Sequence, residues 1–266
     1  MSVAFAAPGT FGPAATALVG LVGLIVGSFL NVVAYRLPRG ESLAFPGSRC
    51  PSCGTPIKAY DNVPVLSWAF LGGRCRACRA RIGVRYPALE LSNAVLWALV
   101  FREAPTWADF ATGAFLTSVG LVLFLIDLDF EILPDVLTLP GIAVGLALSF
   151  WSEKRTPAGA LVGAALGAGG LWLLAFVYEK AAGHEGMGLG DVKMLGMAGA
   201  LLGPAGMLFT IMAASLSGSI VGVALMLARG GDRKMRLRFG PFLALGAIAA
   251  WFFAGPLFAR YRALWP

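Results

Sequence analysis

Residues 11–34 read FGPAATALVGLVGLIVGSFLNVVA and include no charged side chain. A helix that crosses a bilayer needs roughly 20 apolar residues, so this stretch is long enough for one crossing. A secretory signal peptide would have basic residues before its apolar core and a soluble chain after it. Here the first basic residue is Arg36, which follows the stretch, and further apolar stretches come later. The pattern predicts a retained membrane helix with its N-terminus outside.

The composition of the whole chain points to the same environment. Of its 266 residues, 58% are hydrophobic and 13% are charged, and the mean hydropathy is +0.78. An average soluble protein has roughly 25% charged residues. A soluble fold of this composition would expose large apolar areas, and a disordered chain would be poor in apolar residues. Both classes are excluded, and the prediction is an all-α polytopic membrane protein.

Seven further apolar stretches bring the predicted number of transmembrane helices to about eight. The stretch Val192–Leu202 is too short to cross alone, so it must borrow neighbouring residues or be partly re-entrant. Glycines four residues apart, such as Gly199 and Gly203, are typical of helices that pack closely in lipid. The seven stretches are Pro87–Val100, Phe110–Ile126, Val136–Trp151, Ala158–Tyr178, Val192–Leu202, Gly206–Ala228 and Phe239–Ala259.

The basic residues indicate which side of the membrane each loop occupies. The chain has 21 Lys and Arg against 14 Asp and Glu, and nine of the basic residues lie between the first two apolar stretches. Clusters of this kind mark cytoplasmic loops. Residues 36–86, 127–135, 179–191 and 229–238 are therefore expected in the cytoplasm. We interpret the positive charge as a sign of membrane orientation and as a contact for membrane lipid, and not as a surface that binds nucleic acid.

All four cysteines fall in the basic loop, as Cys50-Pro51-Ser52-Cys53 and Cys75-Arg76-Ala77-Cys78. Two CxxC pairs at this separation are typical of a structural four-thiolate zinc site. Disulfides are the alternative, but a cytoplasmic loop lies in a reducing compartment. A closed site would help to fold a loop that has too small a core of its own. The expected division is a first transmembrane helix over 1–35, a cytoplasmic zinc-binding loop over 36–86 and a membrane core over 87–266.

Two aspartates lie at predicted ends of membrane helices on the cytoplasmic side. Asp127 ends the third apolar stretch, and Asp191 follows two glycines at the start of the sixth. An ionisable residue in a membrane segment is a functional candidate because it is costly there. If the two carboxylates met, they could share one proton and act as the acid and base of an aspartic protease. Each could instead be a helix cap or a residue reaching to the headgroups.

Simpler roles are expected for the other ionisable groups of these loops. Asp135, which follows Pro134, fits a helix N-cap. Asp129 and Glu131 are expected to be solvated, as are Glu41 and Asp61 of the basic loop, and His184 is expected at the surface.

At these residues the chain resembles the prepilin leader peptidases of type IV pilus and type II secretion systems, which are GxGD-type membrane aspartic proteases. The similarity covers nearly the whole length. The segments that carry it are Gly27–Val33, Tyr35–Pro38, the paired CxxC motifs, Arg85–Pro87 with Glu90-Leu91, Asp127 with Leu133–Pro140, Gly186–Lys193 and Phe239–Gly246.

The resemblance implies a function and a pair of catalytic residues. It aligns the family's catalytic aspartates with Asp127 and Asp191. It implies that the substrate is the leader of a prepilin or pseudopilin, cut on the cytoplasmic side of the bacterial inner membrane. It also implies methylation of the new N-terminus with S-adenosylmethionine, although the sequence has no Gly-rich cofactor fingerprint after a strand. The residues that would bind this cofactor stay unassigned.

Two other functions compete with this interpretation. The same acids could bind a coupling proton or cation in a transporter, which favours acids near the bilayer midplane and a repeat relating two halves. The chain has no evident repeat. A third interpretation is a zinc-loop membrane scaffold in which both aspartates only cap helices.

Overall fold

The computed structural model describes residues 6–183, 188–228 and 238–264, and in these ranges the chain is helical without a β-strand. The all-α membrane fold predicted from the sequence is confirmed. Short 3₁₀ segments occur at Pro8–Thr10, Leu37–Arg39, Ala59–Asp61 and Ser149–Trp151. The α-helices are α1 (Pro13–Arg36), α2 (Leu66–Phe70), α3 (Arg85–Glu103), α4 (Trp107–Phe130), α5 (Asp135–Leu148), α6 (Pro157–Ala182), α7 (Leu189–Ala228) and α8 (Gly240–Leu264).

Five helices in the described ranges are long and apolar enough to cross a membrane, namely α1, α4, α6, α7 and α8. The apolar helix that begins at Asp135 is shorter. The predicted stretches Pro87–Val100 and Val136–Trp151 lie in α3 and in the segment that begins with α5. Multiple apolar helices establish a multi-pass membrane protein, and the number of crossings stays a prediction.

Helix α7 unites two of the predicted stretches, Val192–Leu202 and Gly206–Ala228. At Gly203 the backbone leaves the helical region, with φ 75° and ψ −178°, and Pro204 follows. Proline disfavours helical geometry in the residue before it, and glycine tolerates a positive φ. A Cβ placed on Gly167 of α6 would lie 2.6 Å from the Leu195 carbonyl oxygen and 3.2 Å from Met207 Cγ.

Those two contacts show that α7 folds back on itself at Gly203. In a straight helix, Leu195 and Met207 would lie about 18 Å apart, too far to touch one glycine. We call residues 189–202 the first arm of α7 and residues 204–228 its second arm. The short stretch Val192–Leu202 therefore borrows residues before it and ends at a reversal.

The described chain forms two compact units, and the division falls within α4, after Phe110. In the first unit, α1 packs against α3 through two glycines. A Cβ on Gly23 would lie 2.9 Å from Ala94 Cα, and a Cβ on Gly27 would lie 2.7 Å from Glu90 Cα. The buried Asn93 amide donates a 2.8 Å hydrogen bond to the Gly23 carbonyl. Only glycine allows so close an approach of the two backbones.

In the second unit, the first arm of α7 is the centre of the core. Met194, Leu195, Met197, Ala198 and Leu201 are each at most 3% exposed. Helices α5 and α6 pack against this arm, where Gly145 of α5 meets Ala200 and Gly167 of α6 meets Leu195. Helix α8 packs against the second arm of α7, at Thr210. Asp191 lies at the beginning of the first arm.

The closest helix contact in this unit joins α6 to the first arm of α7. Gly163 and Gly199 face each other so closely that a Cβ on Gly199 would overlap the Gly163 carbonyl group and lie 2.9 Å from the Ala164 nitrogen. Backbone atoms cannot rotate away from an added methyl group. The sequence prediction of close packing through glycines spaced by four residues is confirmed here.

We expect the substitution Gly199→Ala to destabilise the protein by about 1–3 kcal/mol, the usual cost of overpacking a core. Gly170→Ala on α6 is the matched control, since a Cβ on Gly170 meets no atom within 4 Å. Alanine also favours a helix by about 0.8–1 kcal/mol over glycine, so the control should be neutral or stabilising. Thermal unfolding in detergent measures both variants. Equal melting temperatures would contradict the glycine contact.

Candidate active site

Asp127 lies in the last turn of α4 and is buried, with 7% of its surface exposed. Glu131, just after the helix, adopts a positive φ of 58° and donates its amide to the Asp127 carbonyl at 3.1 Å. The helix therefore continues for one turn beyond Asp127, and the chain changes direction at Glu131. This change of direction brings the following segment, with Leu133, back toward the aspartate.

Asp191 is the third residue of α7 and is partly buried. Its amide donates to the Gly188 carbonyl at 3.2 Å. The carboxylates of Asp191 and Asp127 are close enough to interact electrostatically. The structure thus brings together two acids that are 64 residues apart in the sequence.

Leu133 fills the space beside both aspartates. A Cβ added to Gly190 would lie 3.0 Å from Leu133 Cβ, and a Cβ added to Gly240 would lie 3.3 Å from Leu133 Cδ1. The same Gly240 Cβ would lie 2.8 Å from Asp127 Oδ2. The start of α8 is therefore part of the site, and it was missed as such by the sequence analysis.

Two ion pairs flank the aspartates. Lys193 lies two residues after Asp191, and its Nζ contacts both carboxylate oxygens of Asp135 at 2.8 and 2.7 Å. Arg238, just before α8, contacts Glu131 Oε1 at 2.7 Å and interacts electrostatically with Asp127. Each pair joins two segments that end at the site. Because all four side chains are about a third or more exposed, each pair contributes little stability, about 0–1 kcal/mol.

The structure corrects the expectation for one of the single acids near the site and confirms the exposure of two others. The prediction that Asp135 is an N-cap was wrong, because Pro134 occupies the N-cap position and Asp135, the first residue of α5, pairs with Lys193. Glu131 is largely exposed, as expected, but pairs with Arg238. Asp129 is exposed. His184 lies outside the described residues.

The four cysteines meet in the loop of the first unit. The Sγ atoms of Cys50, Cys53, Cys75 and Cys78 all lie within 4.8 Å of one another, and all four thiols are free of disulfides. The Cys50 and Cys78 sulfurs are 3.8 Å apart. A tetrahedral zinc with bonds of about 2.3 Å would hold its sulfurs about 3.8 Å apart. The donor type and the spacing fit such an ion.

Each CxxC pair sits in a small hairpin of the same form. The Cys50 amide donates to the Thr55 carbonyl at 3.0 Å, and the Cys75 amide donates to the Ala80 carbonyl at 2.9 Å. Four residues after each first cysteine, an amide returns a bond to that cysteine's carbonyl, at 2.9 Å and 3.0 Å. The two hairpins therefore present their sulfurs in the same way, which suits one shared ion.

Hydrogen bonds favour the thiolate form of two of these cysteines. The side chain and the backbone of Thr55 lower the pKa of Cys53 to about 6. The backbone amides of Cys78 and Ala77 lower the pKa of Cys75. Zinc binds the thiolate, so these contacts favour metal binding by Cys53 and Cys75. Without a metal, the neighbouring cysteine side chains raise the pKa of Cys78 to about 11.

Asp61 holds the second hairpin to the rest of the loop. Its two carboxylate oxygens accept hydrogen bonds of 2.8 and 2.6 Å from Arg76, which lies within the second CxxC. The carboxylate side chain is only 10% exposed, and the Arg76 guanidinium lowers its pKa. The expectation that Asp61 is simply solvated was wrong, because the arginine that pairs with it is 15 residues away along the chain.

Two family models match the chain on either side of the division in α4. Residues 21–104 match the bacterial peptidase A24 N-terminal domain, and residues 114–223 match the type IV leader peptidase family. No solved structure gives a significant match.

Relatives of similar length carry one name. The chain is 38% identical over 256 residues to the prepilin leader peptidase/N-methyltransferase of Pseudomonas aeruginosa, covering 87% of each chain. It is 39% identical over 259 residues to the protein of that name from Aeromonas hydrophila, and 36% identical over 258 residues to the one from Neisseria gonorrhoeae. Each alignment covers 88% of both chains. With the paired aspartates and the cysteine cluster in place, these similarities establish that the chain belongs to the type IV leader peptidase family.

Proposed function

We propose that this protein is a membrane aspartic endopeptidase that removes the leader peptide of type IV prepilins or type II secretion pseudopilins and methylates the new N-terminus. Family membership and the names of the relatives support the two activities. The observation that carries the catalytic assignment is the position of Leu133 at the ends of two membrane helices. It borders Gly190, the residue before Asp191, and Gly240, which lies against Asp127. Neither acid is merely a surface residue, since both are buried in part or in full.

In this proposal one carboxylate acts as the general base and the other acts as the general acid. One ionised carboxylate takes a proton from a water molecule, whose oxygen attacks the carbonyl carbon of the scissile amide. The other, protonated, donates its proton to the carbonyl oxygen. Collapse of the tetrahedral intermediate breaks the C–N bond. The leaving nitrogen takes the proton held by the first carboxylate, and the second carboxylate takes a proton back from a hydroxyl of the intermediate as the carbonyl re-forms. The pair returns to its starting state with one proton between two acids.

The site is proposed to face the cytoplasm from the bacterial inner membrane. The support is the concentration of basic residues at 36–86, which favours a cytoplasmic loop. With the N-terminus outside, the C-terminal end of α4 and the first residues of α7 and α8 lie at the cytoplasmic boundary. A substrate helix lying in the membrane would bring its leader to that boundary. Membrane lipid is then a second partner, and nucleic acid has no proposed role.

The loop over 36–86 is proposed to bind one structural zinc ion, and residues 87–266 are proposed to contain the peptidase core. Cys50, Cys53, Cys75 and Cys78 would hold the ion, and four thiolates leave no open position for a substrate. S-adenosylmethionine, when bound, supplies an electrophilic methyl group. The amine released by the peptidase reaction is the nucleophile that accepts it.

Mass spectrometry of one reaction tests both activities. The purified protein is incubated with a full-length prepilin in detergent micelles and a methyl donor carrying a heavy-isotope methyl group. A mass loss equal to the leader supports the peptidase, and an added labelled methyl on the new N-terminus supports the transferase. Intact prepilin after incubation with folded protein would contradict the peptidase, and an unlabelled cleaved product would contradict the transferase alone.

A proton- or cation-coupled transporter finds no support. Asp127 lies in the last turn of one helix and Asp191 in the first turn of another, whereas a coupling site is expected near the middle of the bilayer. The relatives named above are peptidases and methyltransferases.

A further inference from the structure

Gly240, the first residue of α8, lies directly against the Asp127 carboxylate. A Cβ at this position would be 2.8 Å from Asp127 Oδ2 and 2.9 Å from Asp127 Cγ. Both distances are well below van der Waals contact between these atoms, which begins near 3.4 Å. No side chain larger than hydrogen fits here while Asp127 keeps its position.

Asp127 has close neighbours at this point. Leu133 lies 3.3 Å from the Gly240 Cβ position, and it also borders Gly190, the residue before Asp191. Asp127 and Leu133 are at most 9% exposed, so neither can move into open solvent without leaving the core. A side chain at position 240 that displaced Asp127 would therefore change the distance and angle between the two acids.

A charged residue just before α8 also lies near Asp127. Arg238 lies two residues before Gly240, pairs with Glu131 and interacts with the Asp127 carboxylate. The first amides of a helix favour a nearby negative charge. Gly240 is thus the contact between Asp127 and the start of α8, where Arg238 and the first helix amides both favour a negative charge.

We propose that Gly240 is a positioning residue of the peptidase reaction, because its bare Cα is the surface on which the Asp127 carboxylate rests and so fixes its approach to Asp191. This inference rests on the proposed function, in which Asp127 is one of the two catalytic acids. It concerns the placement of an acid and gives Gly240 no contact with the substrate.

The test compares Gly240→Ala with Gly246→Ala on the same helix. A Cβ on Gly246 would lie 2.8 Å from the Thr210 carbonyl oxygen, which is an equally tight contact against the second arm of α7 rather than against an aspartate. Both variants should lose stability. Only Gly240→Ala should lower kcat for prepilin cleavage, by roughly 10- to 100-fold, since displacing a catalytic group by about 1 Å can cost 10²-fold. Its KM should stay within about twofold of wild type.

A second measurement covers the case in which Gly240→Ala does not fold. Replacing Asp127 by Ala removes the atoms that the new methyl group would strike. Gly240→Ala should then lower the melting temperature less in the Asp127→Ala background than in wild type, and the double variant should be recovered folded. An equal loss in both backgrounds, or a double variant that also fails to fold, would overturn the contact with Asp127.

The outcomes distinguish a failure of the Gly240 inference from a failure of the proposed peptidase function. If Asp127→Asn still cleaves prepilin, the catalytic pair itself is wrong. If Asp127→Asn is inactive while Gly240→Ala has the kcat of wild type, or while Gly246→Ala loses as much kcat as Gly240→Ala, only the positioning role of Gly240 is wrong.

Discussion

Asp127→Asn and Asp191→Asn are each expected to reduce prepilin cleavage by on the order of 10²–10⁴-fold, the usual contribution of a general acid or base. Asparagine matches aspartate in size, so the packing of Asp127 against Gly240 and Leu133 is retained. The amide can neither accept the proton of water nor donate one as an acid. The initial rate of leader removal, followed by mass spectrometry on purified protein, gives the result.

Asp129→Asn is the matched control for this prediction. It makes the same chemical change two residues along α4, at an exposed side chain. The control should cleave at close to the rate of the unaltered protein. All three variants should elute as folded protein from size-exclusion chromatography in detergent. Cleavage by either Asp127→Asn or Asp191→Asn at more than about a tenth of the normal rate would refute the assignment of that residue.

Cys75→Ser is expected to abolish stoichiometric zinc binding. Elemental analysis of the unaltered protein should find one zinc per chain, and the variant should retain little, since serine replaces one of four thiolate ligands. The loop should also become sensitive to protease, because metal binding and folding are coupled in small sites of this kind. Limited proteolysis followed by mass spectrometry would place the new cuts within residues 36–86.

The control for the metal prediction is Ser52→Ala, which changes a residue inside the first CxxC without removing a ligand. Zinc content should be unchanged in it. A folded, unaltered protein that contains no zinc after purification without chelator would refute the metal site. That result would leave the aspartate prediction standing, since the two sites lie in different compact units.

The helical segments could be predicted because apolar periodicity and length are local properties of the sequence. All eight predicted stretches are helical over most of their length within the described chain. The reversal within α7 was only partly foreseen. Its sequence signal was the pair Gly203-Pro204, which a hydropathy pattern treats as a short gap between two stretches.

The side-chain partners of the site could not be predicted from local pattern. Arg238 and Glu131 are 107 residues apart, and Lys193 and Asp135 are 58 apart. The packing of the helices decides which acidic residue pairs with which basic residue. From local sequence alone, the expected roles of these acids were therefore solvation and helix capping. The role of Gly240 was hidden for the same reason. A glycine at a helix start is ordinary until a carboxylate is found against it.

The reversal at Gly203 has a consequence for the access of water to the site. The first arm of α7, residues 189–202, is about 21 Å long at 1.5 Å per residue. The hydrocarbon layer is about 30 Å thick, so this arm is several ångström too short to traverse it. Because other helices cover this arm, lipid does not have to adapt to its length, and one end of the arm can lie below the level of the headgroups. If the recessed end is the one with Asp191, the two acids lie in a hollow of the protein that water enters from the membrane surface.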